Sequence, residues 1–260
     1  MGTAAALVAR RYRAPRAPVA QPAGRWAARL NPEELAGLAL TVALVLVFGG
    51  GILLAALAVV VRDSHALAGI DSAVADWGDH HATGWSTSGL KLVTDLGETW
   101  MAAIIGVVVA LVDLPRSRNR WVVPFLLAVV VGDKLLTSAL KTLVDRVRPH
   151  LNPVARTLGP SFPSGHTSTA AALWAAVALV AWRWWGRRSL PPLAGIAVGI
   201  AVAVAASRVL LDVHWLTDVI AGLALGWAWF AACAVAFGGR MLQPGTRSAR
   251  GRGEASRRDS

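Results

Sequence analysis

The chain is short of charge and of cysteine. Charged residues fill 16% of its 260 positions, against about 25% in an ordinary soluble domain. With 55% hydrophobic residues and a mean hydropathy of +0.51, that shortage points to a membrane protein. Cys233 is the single cysteine and lies in an apolar run, so no intrachain disulfide forms. No cleavable signal peptide is expected. The first apolar run, Leu35 to Val61, is far longer than the roughly 7–15 residues of a signal core and reads as a first transmembrane helix. Met1-Gly2 opens like an acylation signal, but Ala6 stands where that signal needs Ser or Thr. There is no internal repeat.

Acids are scarce beside bases, and the net charge is +11. Twelve of the 26 basic residues sit in two tails: Arg10, Arg11, Arg13, Arg16, Arg25 and Arg29, then Arg240, Arg247, Arg250, Arg252, Arg257 and Arg258. Both tails adjoin hydrophobic spans, so they read as topology determinants or contacts to anionic membrane lipids, with no nucleic acid partner expected. Residues 1–34 form an expected disordered basic tail, 35–238 a membrane domain, and 239–260 a second disordered basic tail. Spanning a bilayer takes about 20 apolar residues. On that measure the sequence offers six spans, at 36–61, 97–114, 122–144, 168–185, 192–211 and 215–237. The expected fold is all-α, a polytopic membrane helical bundle with six transmembrane helices.

Six spans put both tails and the loops after spans 2 and 4 on one side. Adding Arg116, Arg118, Arg120, Arg183, Arg187 and Arg188 to the tails gives that side 18 of the 26 basic residues. It reads as cytoplasmic. The other side carries Asp63, Asp71, Asp76, Asp79, Asp95 and Glu98 against Lys91. There Ile70, Val74, Trp77 and Trp85 approach helical spacing and predict an outer interfacial amphipathic helix. Trp100, Trp121, Trp182, Trp184, Trp185 and Trp215 fall near span ends, as an interfacial belt should. Trp174, Trp227 and Trp229 read as bundle packing. Gly195-x3-Gly199 and Gly222-x3-Gly226 predict that spans 5 and 6 pack closely on each other.

Three stretches carry the chemistry: Lys141-x6-Arg148-Pro149, Pro163-Ser164-Gly165-His166, and Ser207-Arg208-x5-His214-x3-Asp218. His214 and Asp218 stand i,i+4 and share one helical face. A carboxylate there holds one ring nitrogen and leaves the other free to attack. Phosphoryl transfer needs a nucleophile, an acid for the leaving oxygen, and positive charge on the remaining oxygens. His214 is the candidate nucleophile, Asp218 its orienting partner and His166 the candidate general acid. Lys141, Arg148 and Arg208 supply the charge. Ser164 offers a hydroxyl, and the Gly165 N–H can approach an anion because no Cβ intervenes. Pro163 can start a helix whose N-terminus faces that anion. All three motifs fall on the outer face of the six-span topology.

These residues, in this order, resemble the signature of the type 2 phosphatidic acid phosphatase superfamily, and the resemblance covers about residues 65–235. It implies a helical bundle and hydrolysis of phosphate esters or anhydrides through a phosphohistidine, with no metal or other cofactor. It also implies catalytic roles for His214, His166 and Asp218 and phosphate binding by Lys141, Arg148, Ser164, Gly165 and Arg208. Pro149, Pro163 and Ser207 match supporting positions. The expected function is an integral membrane phosphatase acting on a lipid phosphate or pyrophosphate. The alternatives are a membrane phosphotransferase with an alcohol acceptor, or a non-catalytic lipid-binding or transport protein. Three charge clusters lie outside the signature. Arg146 reads as an ion pair with Asp145, rather than as an extra phosphate contact. Asp133-Lys134 reads either as a bundle-facing functional pair with Lys141 or as mutual neutralisation. Asp76, Asp79, His80 and His81 read as a solvated helix face with a lipid-headgroup contact, because their spacing fits no standard metal-ligand pattern.

Overall fold

In the computed structural model, residues 32–63, 67–81, 84–149 and 159–241 are described. They form eight α-helices and no strand: α1 (Pro32–Asp63), α2 (Ala68–His81), α3 (Gly84–Asp95), α4 (Thr99–Ser117), α5 (Val122–Val144), α6 (Gly165–Trp185), α7 (Leu190–Leu210) and α8 (Leu216–Met241). A short 3-10 turn, Arg187–Ser189, joins α6 to α7. The two tails lie outside the described residues, apart from the few that begin α1 and end α8.

Among the described residues, five helices are long and apolar enough to cross a membrane: Gly37–Arg62, Thr99–Ser117, Val122–Val144, Leu190–Leu210 and Leu216–Arg240. Their outward faces are lipid-like. Phe48, Ile52, Leu111 and Leu135 are each exposed by 65–70%, a surface that water would not tolerate over this area. The chain is a multi-pass membrane protein. The remaining expected span, 168–185, lies within α6. Its first turns carry His166, Thr167, Ser168 and Thr169, and it is the most enclosed helix, buried at Ala170, Ala171, Ala172, Leu173, Ala176, Val180 and Ala181. It needs little lipid-facing apolar surface because other helices surround it.

α6 is the hub, packed by α4, α5, α7 and α8. Its alanines meet Val122, Phe125, Val129 and Cys233 in the main apolar core. Here one packing expectation is corrected. Gly222 and Gly226 do not serve an α7–α8 seam; they face α6. A Cβ on Gly222 would strike the Ser164 carbonyl, and one on Gly226 the Ser168 carbonyl and Ala171. Gly195 and Gly199 meet nothing and are exposed. Small residues permit close approach only where a partner backbone arrives, and α6 is that partner.

The expected outer helix appears as two elements, α2 and α3. On α2, Asp71, Ala75 and Gly78 are buried against α7 and α8, with Val74 at the edge, while Ile70 and Trp77 point outward together. Trp174 and Trp229 do pack inside, donating to the Leu96 and Ala128 carbonyls at 3.2 and 3.0 Å.

The two glycine pairs separate cleanly by substitution. Gly226→Val should lose about 1–3 kcal/mol of stability through overpacking, read as the fraction surviving a heat step in detergent. Gly199→Val should stay within about 0.5 kcal/mol of the parent. Equal losses would remove the α6–α8 approach as the reason.

Candidate active site

The C-terminal ends of α5 and α7 and the N-terminal ends of α4, α6 and α8 meet at one end of the bundle. They enclose a cavity of about 200 Å³ lined by Lys141, Arg148, Gly165, His166, Arg208 and His214, with Gly97, Glu98, Thr99, Lys134, Thr137 and Thr169 completing the wall. Six of the eleven residues singled out by the motifs therefore line one space. Asp218 stands directly behind His214, and both are almost wholly enclosed, at 0% and 2% exposure.

His214 lies in the tight turn between α7 and α8. Its Nδ1 is 3.5 Å from Asp218 Oδ2, an ion-pair distance slightly longer than a hydrogen bond. Such contacts are often loose until substrate arrives. Its Nε2 accepts from Arg148 Nη1 at 3.2 Å, which assigns the ring proton to Nδ1, on the Asp218 side. The nitrogen that could attack thus faces the cavity, beside a cation. Burial pushes the His214 pKa down to about 3; the Asp218 hydrogen bond and charge pull it up, while Arg148 and Arg208 add to the fall. The imidazole is neutral at physiological pH.

The cations are held by dipoles. Arg148 donates Nε to Gly159 O at 2.8 Å, Nη1 to Val213 O at 2.7 Å and Nη2 to Pro160 O at 3.4 Å. Its burial lowers its pKa, partly offset by Asp218. Lys141 Nζ donates to Pro160 O at 2.6 Å. Arg208 Nη1 donates to Thr94 Oγ1 at 3.1 Å, and Ser207 braces this pair, its hydroxyl 3.1 Å from Thr94 Oγ1 and 2.7 Å from Val204 O.

α6 starts at Gly165, so its first N–H groups have no acceptor in their own helix and Gly165 presents its backbone to the cavity. Ser164 is not among the residues that line the cavity; it is fully buried, its hydroxyl is 2.9 Å from Thr167 Oγ1, and its N–H donates to Asp218 O at 3.0 Å. Pro149 and Pro163 are buried behind the lining.

Sequence reasoning missed two groups. Glu98 Oε1 accepts from His166 Nε2 at 2.7 Å. Burial raises the Glu98 pKa, but the charge and hydrogen bond of His166, the Thr99 N–H and Arg208 bring it below its usual value, so it is a carboxylate at neutral pH. The available signal was Gly97: a Cβ there would fall on the His166 carbonyl, so the glycine lets this turn press against α6. The second is Arg146, for which the ion pair with Asp145 is corrected. Its Nη1 donates to Asp218 Oδ1 at 2.6 Å and Thr217 Oγ1 at 2.7 Å, and its Nη2 to Asp71 Oδ2 at 2.7 Å. Asp145 instead closes α5 in a left-handed conformation (φ 48°), which swings the next residue toward α8.

Asp133 and Lys134 point apart. Asp133 is buried and accepts from Ser168 Oγ, and from Thr169 Oγ1 at 2.8 Å. Lys134 lines the cavity with Lys141. Mutual neutralisation is not what the geometry shows. On α2, His80 Nδ1 is 2.6 Å from Asp76 O; the side chains of Asp79 and His81 lie outside the described residues.

The fold and the site define a helical membrane protein with a buried His–Asp pair in a cationic cavity at one end of the bundle. The chain belongs to the PAP2 superfamily, whose sequence profile matches residues 121–241. It is 34% identical over 139 residues to decaprenylphosphoryl-5-phosphoribose phosphatase of Mycobacterium tuberculosis, covering 52% of this chain and 71% of that one. It is 38% identical over 116 residues to phosphatidylglycerophosphatase B of Bacillus subtilis, covering 42% and 55%. Against lipid A 1-phosphatase of Rhizobium johnstonii it is 34% identical over 121 residues, covering 43% and 46%. The match thus spans about half the length of the latter two. The crystal structure of a transmembrane PAP2 type phosphatidylglycerolphosphate phosphatase from Bacillus subtilis superposes with a TM-score of 0.68 at 27% identity, over 76% of this chain and 96% of that one.

Neutral burial of His214 has a consequence for stability. Its folded pKa lies below the unfolded value of about 6.5, so the unfolded chain binds the extra proton. Its contribution is complete above pH 6.5 and is lost as pH falls toward 3, at up to about 1.4 kcal/mol per pH unit. Heat resistance in detergent should therefore decline from pH 7 to pH 5, and His214→Gln should flatten that decline. Parallel profiles for the two proteins would show that the ring is not buried neutral.

Proposed function

We propose that this protein is a membrane lipid phosphatase that removes a phosphate group by way of a phosphohistidine on His214. The observation that carries the reading is that His214 Nε2, His166 and the cations Lys141, Arg148 and Arg208 face one cavity where the hydrophobic spans end. His214 Nε2 attacks phosphorus, and the P–O bond to the lipid breaks. His166, protonated on both ring nitrogens with its Nε2–H held by Glu98, gives its Nδ1 proton to the departing oxygen. Water then attacks phosphorus, the P–N bond breaks, His166 takes the water proton, and inorganic phosphate leaves with His214 restored. Lys141, Arg148, Arg208 and the Gly165 N–H hold the three equatorial oxygens. Asp218 orients the His214 ring and balances the charge it gains. Glu98 holds His166 in place.

The donor set recognises phosphate and nothing more, so the lipid body is chosen elsewhere. The named relatives act on phosphatidylglycerophosphate, lipid A 1-phosphate and a decaprenyl-linked phosphoribose, and a lipid phosphate or pyrophosphate of such a type is the substrate class supported here. The basic residues on loops and tails support cytoplasmic termini and a site on the outer face. The test is phosphate release in detergent from phosphatidic acid, phosphatidylglycerophosphate and polyprenyl pyrophosphate. At least one should be hydrolysed, orthovanadate should inhibit as a phosphate mimic, and folded His214→Ala should release none. Activity in that variant would sink the mechanism; a phosphate that appears only on an added alcohol would make the protein a transferase.

A further inference from the structure

Arg146 does not line the cavity, yet it bonds directly to the carboxylate behind His214. Asp218 offers two oxygens. Oδ2 accepts the Trp215 N–H at 3.0 Å and faces His214. Oδ1 is taken by Arg146 at 2.6 Å. With both oxygens fixed, the carboxylate cannot rotate, and its His214-facing edge is set. Arg146 is itself anchored. Its other terminal nitrogen bonds Asp71 Oδ2 at 2.7 Å, and its guanidinium lies over the Trp215 ring, 5.4 Å from the centroid. Asp71, 1% exposed, also accepts the Thr217 N–H at 3.0 Å and the Thr217 hydroxyl at 2.7 Å. It therefore caps the first turn of α8 from another helix, one residue before Asp218.

We propose that Arg146, anchored by Asp71, is a positioning residue that fixes the rotamer of Asp218 and, through it, the ring of His214. The inference rests on the assignment of His214 and Asp218 made above. Two buried carboxylates close together repel and are costly without a cation between them; Arg146 is that cation. The planar fork of arginine serves both at once, which a lysine ammonium does not reproduce. Because Arg146 does not line the cavity, its loss should act on turnover rather than on binding. Misplacing a catalytic group by about 1 Å costs on the order of 100-fold in rate.

The experiment measures kcat and KM on phosphatidylglycerophosphate in detergent micelles. The variants are Arg146→Gln, Arg146→Lys, Asp71→Asn, Asp218→Asn, the double variant Arg146→Gln/Asp218→Asn, and His214→Ala. Arg146→Gln should lower kcat about 10–100-fold with KM within about twofold. Arg146→Lys should recover part of the loss. Asp71→Asn should give a smaller fall in kcat, also with KM unchanged. The double variant should be no slower than Asp218→Asn alone, since a group acting through Asp218 has nothing left to act on. A further, multiplicative loss in the double variant would overturn the proposal in favour of a general structural role. So would wild-type kcat in Arg146→Gln beside an inactive His214→Ala. An active His214→Ala would instead overturn the underlying assignment, and this inference with it. If Arg146→Gln does not purify as a folded protein, Arg146→Lys and Asp71→Asn, alone and combined with Asp218→Asn, give the same reading.

Discussion

The site depends on how closely α6 and α8 approach. The Ser164 N–H bonds the Asp218 carbonyl at 3.0 Å, and the next two turns of α8 bring Gly222 and Gly226 against the Ser164 and Ser168 carbonyls. That contact fixes the start of α6, which carries Gly165 and His166, against the start of α8, which carries Asp218. Any side chain at Gly226 would push the two apart. Packing with small residues is how membrane helices gain dispersion contact when lipid tails offer no hydrophobic drive. Here the same contact sets the distance between a candidate acid and a candidate nucleophile.

Polar latches tie the neighbouring helices to α6 along its length. Near the cavity, Asp133 of α5 accepts from Ser168 and Thr169. At the far end, Asp113 of α4, fully buried, accepts from Ser117 at 2.6 Å and from the Trp184 indole at 2.8 Å, with Arg183 at 3.5 Å. A charge buried in a bundle is tolerated when its oxygens are occupied. These latches fix how far each helix can slide along α6, a freedom that alanine-rich faces alone leave open. They also account for the polar character of α6, which kept it below the hydropathy of the other spans.

Much of this is legible in the sequence. Hydrophobic runs placed five membrane-length helices within a few residues, and motif spacing named six residues that line the cavity. What sequence could not supply was partner choice between distant segments. Arg146 sits beside Asp145, and proximity along the chain suggested that pair; the left-handed turn at Asp145 sends the guanidinium to Asp71 and Asp218, some seventy residues away on either side. Glu98 looked like one more acid in an acidic loop, because nothing local ties it to His166. The glycine pairs were recognised as packing signals, but only the tertiary arrangement could say that one faces α6 and the other faces out. The motif places Ser164 beside Gly165 and His166, but nothing in it specifies that the hydroxyl meets Thr167.

The division of labour among charges explains why the cavity stays positive. A carboxylate beside each cation would hold it equally well but would cancel the charge an anion must meet. Lys141 and Arg148 instead donate to carbonyls at Gly159, Pro160 and Val213, and Arg208 donates to a threonine. Dipoles satisfy geometry and leave the net charge in place, where low dielectric strengthens it. The carboxylates sit where a charge must be steadied. Asp218 stands behind His214, which the proposed mechanism makes cationic, and Glu98 stands against His166, which that mechanism requires to gain and lose a proton. Arg146 belongs with that second group. It neutralises the pair of carboxylates behind the histidine, so that Asp218 can face His214 without also having to face Asp71.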